Sequence, residues 1–410
     1  MRILQINCVY NKGSTGRIMG DIHTYLRAQG HESFILYGRG AKTDDPDVYK
    51  TCGEIYAKAN KLLCRLTGLM YGGCRLSTRR LIGYIKKLQP DVVHLHCING
   101  NFVNIYRLIQ WLKRSGIPTV LTLHAEFMHT ANCVHAYACD KWQNGCGRCP
   151  VYRRETGSLL FDRTAASWKK MRRAFDGFER LTVVSVSPWL QQRADMSPFF
   201  ADKNSCVVLN GLDTSVFKRY DTAALRDELG LGDERVVFHA TPNFNQNPDN
   251  VKGGHYVLQL AQRLAGQNVR FVVAGPYPAD LCVPDNVLLL GNVSDKVRLA
   301  KLYAMADVTL LTSKAETFSM IVAESLACGT PIVGFCAGAP EQITLPAFST
   351  FVPHGDTDAL CAALRSWLQQ SPERALISSA AHQKYANQRM CEQYLSVYQQ
   401  ASADNPPIER

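Results

Sequence analysis

The feature that most constrains this chain is a recurrence. Strand-length apolar runs separated by helix-length segments pass through one full series and then begin again. Residues 3–9, 33–37, 91–96, 119–124, 181–186 and 207–209 form the first series, and 236–240, 269–275, 287–291, 308–311 and 331–335 the second. Continuous runs of Val, Ile, Leu and Phe belong to strands buried on both faces, the pattern of a parallel sheet covered by helices. The expected fold class is therefore α/β, with two doubly wound domains in tandem. Between the two series, Asn210-Gly211 and Asp213-Thr214 supply turn chemistry. The expected domains are accordingly 1–208 and 209–385, with a terminal helix and tail over 386–410. Helical periodicity runs from Ala375 to Gln400, and 401–410, containing Pro406 and Pro407, reads as frayed.

A chain of 410 residues can build two or three cores, which excludes a small disulfide scaffold. With 46% hydrophobic and 20% charged residues, its composition is that of a folded globular protein and not of a disordered or collagen-like one. No apolar run approaches the roughly 20 residues that a membrane span needs. The first residues lack the apolar core of a signal peptide, so a cytoplasmic location is expected, and the 15 cysteines should be thiols or metal ligands. The net charge of +11 is divided unevenly, +15 over residues 1–205 and −4 over 206–410. A basic front half suits phosphates on a substrate, on anionic lipid or on nucleic acid, or serves only solubility.

The densest chemistry lies over residues 313–331, where Glu316 follows a strand and Glu324 sits eight residues later on the next helix. At 1.5 Å of rise per residue that separation is about 12 Å, enough to grip two ends of a long ligand. A helix beginning near Phe318 and Ser319 would offer free N–H groups to a phosphate beyond the carboxyl end of the strand. Two isolated glutamates would otherwise read as a helix-face residue and a dipole partner.

The surrounding residues change that weighting. The pair Glu316 and Glu324, the linker 207–217, Ala306-Asp307-Val308, the stretch 326–333 and the stretch Gly338 to Glu341 fall in one order and spacing. Together they resemble glycosyltransferase family 4, whose retaining members have the GT-B arrangement of two Rossmann-like domains facing each other across a cleft. The resemblance covers nearly the whole chain. It implies that Glu316 contacts the transferred sugar, that Glu324 holds the ribose of the donor nucleotide, and that Lys252, followed by Gly253, meets the phosphates. The arginine that usually accompanies that lysine is missing from 240–247. Either Thr241 and Asn245 take its place neutrally, or an arginine such as Arg17 supplies the charge. His124, ending its strand, matches the family's sugar-facing histidine, although a single histidine is more often structural. Where the family often has Asp next, this chain has Ala125 and then Glu126, a candidate substitute. Gly13, Ser14, Thr15 and Gly16 form a glycine loop after the first strand that could admit a phosphate or an acceptor.

What the resemblance implies is transfer of a hexose, with retention, from a UDP- or GDP-linked sugar to a lipid-linked glycan acceptor in exopolysaccharide, colanic acid or O-antigen synthesis. Departure and attack on one face, with the leaving phosphate taking the acceptor's proton, needs no dedicated base. No metal or other cofactor is expected in the chemistry.

Cys133, Cys139, Cys146 and Cys149 lie within 17 residues and could surround one structural zinc, form two disulfides or stay reduced. The segment resembles an insert of exopolysaccharide-building family members. Two basic segments, 75–87 and 169–175, carry apolar residues at helical spacing and read either as solvated helix faces or as a peripheral attachment to anionic membrane. Two alternatives remain: a nucleotide-sugar epimerase of the same fold, and a zinc-containing nucleic-acid binder. No recognition module or aromatic platform supports the second, so nucleic acid is not an expected partner.

Overall fold

The computed structural model of the chain describes residues 1–403. The chain divides into two compact units, Met1–Leu209 joined by the chain from Met390 onward, and Asn210–Arg389. The first unit holds strands β1 (Arg2–Val9), β2 (Glu32–Arg39), β3 (Val48–Lys50), β4 (Val92–Leu95), β5 (Thr119–Leu123), β6 (Leu181–Ser185) and β7 (Asn204–Val207). They form one sheet in the order β3-β2-β1-β4-β5-β6-β7, with every neighbouring pair parallel. The second unit holds β8 (Arg235–Ala240), β9 (Val269–Ala274), β10 (Val287–Gly291), β11 (Val308–Leu311), β12 (Ile332–Phe335) and β13 (Ser349–Val352). Its sheet runs β10-β9-β8-β11-β12-β13, again all parallel.

Both orders are those of the Rossmann fold, in which the chain starts at the centre, builds to one edge, then returns to build the other. The reversal leaves a switch point between β1 and β4 and another between β8 and β11. Loops leaving the carboxyl ends of those strands diverge there, which is where such sheets bind ligands.

The structure departs from the sequence reading in a few places, each with a physical cause. β3 and β13 were not expected; both are short edge strands, half-buried and partly polar, so they carry no continuous apolar signal. β7 lies at Asn204–Val207, three residues ahead of the expected start. Val208, which carried the apolar signal, is buried in the core after the strand has ended. The glycine loop is a correction: Gly13, Ser14, Thr15 and Gly16 are not a loop but the opening turn of the helix Gly13–Ala28. The expected single terminal helix is two, Arg374–Tyr385 and Asn387–Ala403, separated at Ala386, whose ψ of 132° is extended. Residues 401–403, expected to fray, are helical, and the rest of that expectation, over 404–410, lies outside the described residues.

The last helix completes the first unit's core. Met390, Cys391, Tyr394, Val397 and Tyr398 pack against Ile3, Ile18, Ile22, Leu26, Val92, Val120, Val184 and Val208. Burying each large side chain contributes about 1.5–3 kcal/mol, so the sheet depends on this far end of the sequence. In the second unit, Phe271, Val273, Leu310 and Val333 of the sheet meet Leu260, Leu360 and Leu364 of the flanking helices. No helix among the described residues is long and apolar enough to cross a membrane.

Candidate active site

The second unit gathers its chemistry at its switch point. After β8 the chain loops through Thr241 to Lys252, and after β11 it loops through Glu316 to the helix Met320–Ala327. Glycine makes the approach of these loops feasible. Gly253 has φ +66°, and a Cβ there would stand 2.3 Å from the Thr312 carbonyl oxygen. A Cβ on Gly254 would stand 2.5 Å from the Asn245 carbonyl. The Lys252 backbone is then tied to the post-β11 loop, its carbonyl accepting from Thr312 Oγ1 at 2.9 Å, while Lys314 N donates to the Val251 carbonyl at 2.8 Å.

This anchoring brings Lys252 Nζ to 2.6 Å from Glu316 Oε1, both side chains largely buried at 25% and 15% exposure. The glutamate is fixed from the other side. Its N–H donates to the Ala337 carbonyl at 2.9 Å, its carbonyl accepts from Ala339 N at 3.2 Å, and Glu341 accepts from the N–H groups of Ala337 and Gly338, both at 3.0 Å. The ion pair therefore sits on two braced loops.

Glu324 occupies the next position. Tyr303 donates its hydroxyl to Glu324 Oε2 at 3.1 Å. Burial, reinforced by the glutamate's charge, holds the tyrosine pKa well above its ordinary value, so the phenol keeps its proton and the carboxylate keeps a donor. Both residues line a cavity of about 270 Å³ with Thr241, Gly275, Asn292 and Ile321, all within this unit. Its mixed apolar and polar lining suits a small planar group with hydroxyls attached.

The helix that carries Glu324 begins at Met320, not near Phe318. Glu316 stands in the loop before it, so the 12 Å separation inferred from helical rise is corrected: only the last four residues between the glutamates follow a helix. Ser319, capping that helix, has φ 77° and ψ 94°, an uncommon conformation for a residue with a side chain, and its buried hydroxyl has no partner among the described residues. The Phe318 side chain turns inward, buried against Tyr385. Asn245 is absent from the cavity lining, and its side-chain oxygen accepts from Asn247 N at 3.0 Å in a local turn.

In the first unit, His124 follows β5 and is half-buried. Its pKa is pushed down to about 4 by burial, so the ring is neutral near pH 7. It belongs to a set of three histidines at the carboxyl ends of β4 and β5, in which His96 Nδ1 lies 3.2 Å from His124 Nε2 and the rings of His94 and His96 stand 3.8 Å apart. Glu126 is only 1% exposed; it pairs with Arg193 and with His129 at 3.4 Å and accepts from Ala136 N at 2.7 Å. It braces the cysteine-bearing segment instead of presenting a carboxylate. Gly13 to Gly16 lie beyond β1 in the same unit, with Arg17 exposed on the helix they open.

Cys133, Cys139, Cys146 and Cys149 are neighbours: burial raises the Cys133 thiol, and the other three sulfurs add to the effect. All four are reduced. Among the described residues no group of three or more His, Cys, Asp or Glu is placed to hold a metal ion. Buried Trp142 packs the insert down, its carbonyl accepting from Trp168 Nε1 at 2.7 Å and its ring lying edge-on to His129 at 5.0 Å.

Sequence reasoning missed Tyr303, Gln5, His96 and His239. His239 is buried near Lys252, its pKa lowered to about 4, with Nδ1 donating to the Leu310 carbonyl at 3.0 Å. The signal was present in outline, since His239, His94 and His96 are polar residues inside otherwise apolar strand runs.

Two Rossmann-type units, one of them carrying both a braced lysine–glutamate pair and a cavity that Glu324 lines, define a glycosyltransferase of the GT-B class. Comparison with known proteins agrees. A model of the family described as Glycosyltransferase Family 4 matches residues 15–216, and one described as Glycosyl transferases group 1 matches 235–370. The chain belongs to glycosyltransferase family 4. It is 22% identical over 418 residues to WcaC of Escherichia coli K12, named a colanic acid biosynthesis glycosyl transferase, covering 97% of this chain and all of the relative. It is 33% identical over 191 residues, 43% of each chain, to a D-inositol 3-phosphate glycosyltransferase of Mycobacterium avium. Among solved structures, Anabaena Alr3699/HepE in complex with UDP shares the fold with a TM-score of 0.69 at 15% identity over 98% of this chain and all of the other. WaaG, a glycosyltransferase involved in lipopolysaccharide biosynthesis, does so at 0.63 and 13% identity over 98% and 99%.

Proposed function

We propose that the enzyme transfers a hexose, with retention, from a UDP- or GDP-linked sugar to a lipid-linked glycan acceptor at the cytoplasmic face of a membrane. The observation that carries this reading is the pairing of Lys252 with Glu316 at 2.6 Å, in the same unit as the cavity that Thr241, Ile321, Glu324 and Tyr303 line, with Thr241 and Lys252 following β8 and Glu316 and Glu324 following β11. Glu324 would bind the ribose hydroxyls, and the sugar diphosphate would draw Lys252 from Glu316, leaving the carboxylate for the transferred sugar. The cation, with the N–H groups at the start of the helix Met320–Ala327, would stabilise charge gathering on the departing phosphate. Ser319 and Thr241 would add neutral hydrogen bonds there, and His124 is proposed to recognise sugar. UDP and UDP-glucose in the complexes of Alr3699/HepE support a nucleotide sugar donor. The transfer is proposed to need no metal or cofactor, and the cysteine insert to be a structural element of the chain after His124.

The membrane contact is supported by a surface in the first unit. The helix Glu54–Thr67 buries only Ala57 and Cys64, while Ile55 is 86%, Leu62 55% and Leu63 52% exposed. Exposed Leu159, Leu160 and Phe161 adjoin it, Leu159 N donating to the Arg65 carbonyl at 2.8 Å. Lys58, Lys61 and Arg65 share that helix, and Arg75, Arg79 and Arg80 are exposed on the helix Arg75–Leu88. Exposed apolar side chains sharing a helix with exposed cations suit the interface of an anionic bilayer, where each basic residue adds about 1 kcal/mol.

Thermal melts with UDP, GDP, ADP, CMP and their sugar conjugates test the donor assignment. One nucleotide series should stabilise the wild type and lose most of its effect in Glu324→Ala, since ligand at 100 times its dissociation constant adds about 2.7 kcal/mol. No response to any of them, in a protein that melts cooperatively, would overturn the assignment.

A further inference from the structure

The histidines of the first unit are joined by hydrogen bonds whose direction follows from the donors and acceptors involved. Gln5, buried on β1, donates its side-chain N–H to the Met19 carbonyl at 3.3 Å, which leaves its Oε1 facing His96 Nε2 at 3.1 Å. An amide oxygen only accepts, so His96 carries its proton on Nε2. Burial and the neighbouring histidines hold the His96 pKa well below its ordinary value, so the ring has one proton and its Nδ1 is a lone pair. That lone pair faces His124 Nε2 at 3.2 Å. Two lone pairs cannot share a hydrogen bond, so His124 must donate from Nε2.

We propose that Gln5 and His96 are positioning residues that fix His124 as its Nε2–H tautomer, so that Nδ1 can only accept a hydrogen bond. The inference rests on the reading of His124 as a sugar-recognising residue and extends it to the protonation pattern that such recognition needs. In this tautomer Nδ1 is complementary to a hydroxyl donor and not to the lone pairs of a carboxylate. His94 is braced separately, with Tyr398 Oη 2.7 Å from Nδ1 and Thr122 Oγ1 2.7 Å from Nε2. Helix Asn387–Ala403 thereby locks the strand that carries His96.

The test is nitrogen NMR of the full chain labelled with 15N-histidine, His124 being assigned by its loss in His124→Asn. In the wild type at pH 7 the His124 signals should show a protonated Nε2 and a bare Nδ1. Gln5→Met, which keeps the volume and deletes the acceptor, should shift His124 toward a mixture of tautomers and lower kcat several-fold with little change in KM. His96→Phe, which removes the acceptor for His124 altogether, should shift the tautomer further. A wild-type His124 protonated on Nδ1 would overturn the proposal without any variant, as would a tautomer indifferent to Gln5→Met in a folded protein. Failure of the underlying function reads differently: the tautomer would respond as expected while His124→Asn retained full transfer.

Discussion

Lys252 and Glu316 are 64 residues apart in sequence and 2.6 Å apart in the fold, one carried by the loop after β8 and the other by the loop after β11. The pair crosses the switch point of the second sheet, so it depends on the crossover of the chain and not on any local motif. An ion pair this well shielded also neutralises two groups that would each be costly to bury alone.

Glu316→Gln keeps an acceptor oxygen for Lys252, so it should leave the protein folded with a melting temperature lowered by a few degrees, and lower kcat about 10²–10³-fold, the scale of losing one charged group aimed at a transition state. Steady-state kinetics beside a melting curve reads both. Turnover near the wild-type value would remove Glu316 from the chemistry.

Tyr303→Phe deletes the donor to Glu324 without changing the packing of the ring, which stands edge-on to Phe238 at 4.9 Å. Nucleotide affinity should fall about tenfold, since a hydrogen bond to a charged group contributes about 1.5–3 kcal/mol. Titration calorimetry with the stabilising nucleotide measures it. An unchanged dissociation constant would mean that the cavity does not hold the nucleotide.

Gly253→Ala places a methyl against a backbone carbonyl at a positive φ. The expected cost is about 2–4 kcal/mol, read from the urea midpoint, with loss of activity as Lys252 is displaced. Gly83→Ala, in the helix Arg75–Leu88 with open space around the added Cβ, is the control and should be neutral or slightly stabilising.

The enzyme should lose stability on mild acidification. His239 is buried with its folded-state pKa at about 4, below the 6.5 of an exposed ring, so the unfolded chain binds the proton more readily. Its contribution is complete above pH 6.5 and is lost as pH falls toward 4, amounting to about 3 kcal/mol. His94, His96 and His124, also lowered, act in the same direction. Melting temperatures from pH 7.5 to 4.5 should fall steadily below pH 6.5, and His239→Asn should show a shallower fall. A flat profile over that window would contradict the burial of neutral histidines.

Leu62→Glu with Leu63→Glu changes two side chains that the fold leaves exposed. The melting temperature should stay the same while binding to phosphatidylglycerol vesicles is lost. Wild-type binding should weaken as salt rises, because part of the attraction is screened charge. Equal vesicle binding by both proteins would exclude this helix as the membrane contact.

Most strands were legible because parallel strands buried on both faces leave continuous apolar runs, as over 236–240 and 308–311. The edge strands β3 and β13 were not, since one partner and partial exposure demand no such run. Glu316 and Glu324 stood out from their places after a strand and on the next helix, but their roles, and Lys252 altogether, came from the resemblance to glycosyltransferase family 4. Tyr303 did not stand out: a tyrosine in a helix looks like core until a carboxylate 21 residues away meets its hydroxyl. Glu126 erred in the opposite sense, looking free beside His124 until Arg193 reached it.

The sequence by itself determined the repeated α/β plan and the place where one unit passes to the next, because these follow from periodicity and turn preferences local to the chain. Tertiary structure alone decided that Lys252 faces Glu316, that Gln5 orients His96 toward His124, and that the last helix belongs with the first sheet. Those relations join residues 64, 91 and some 300 positions apart, and only the order in which strands enter a sheet brings such residues within hydrogen-bond range.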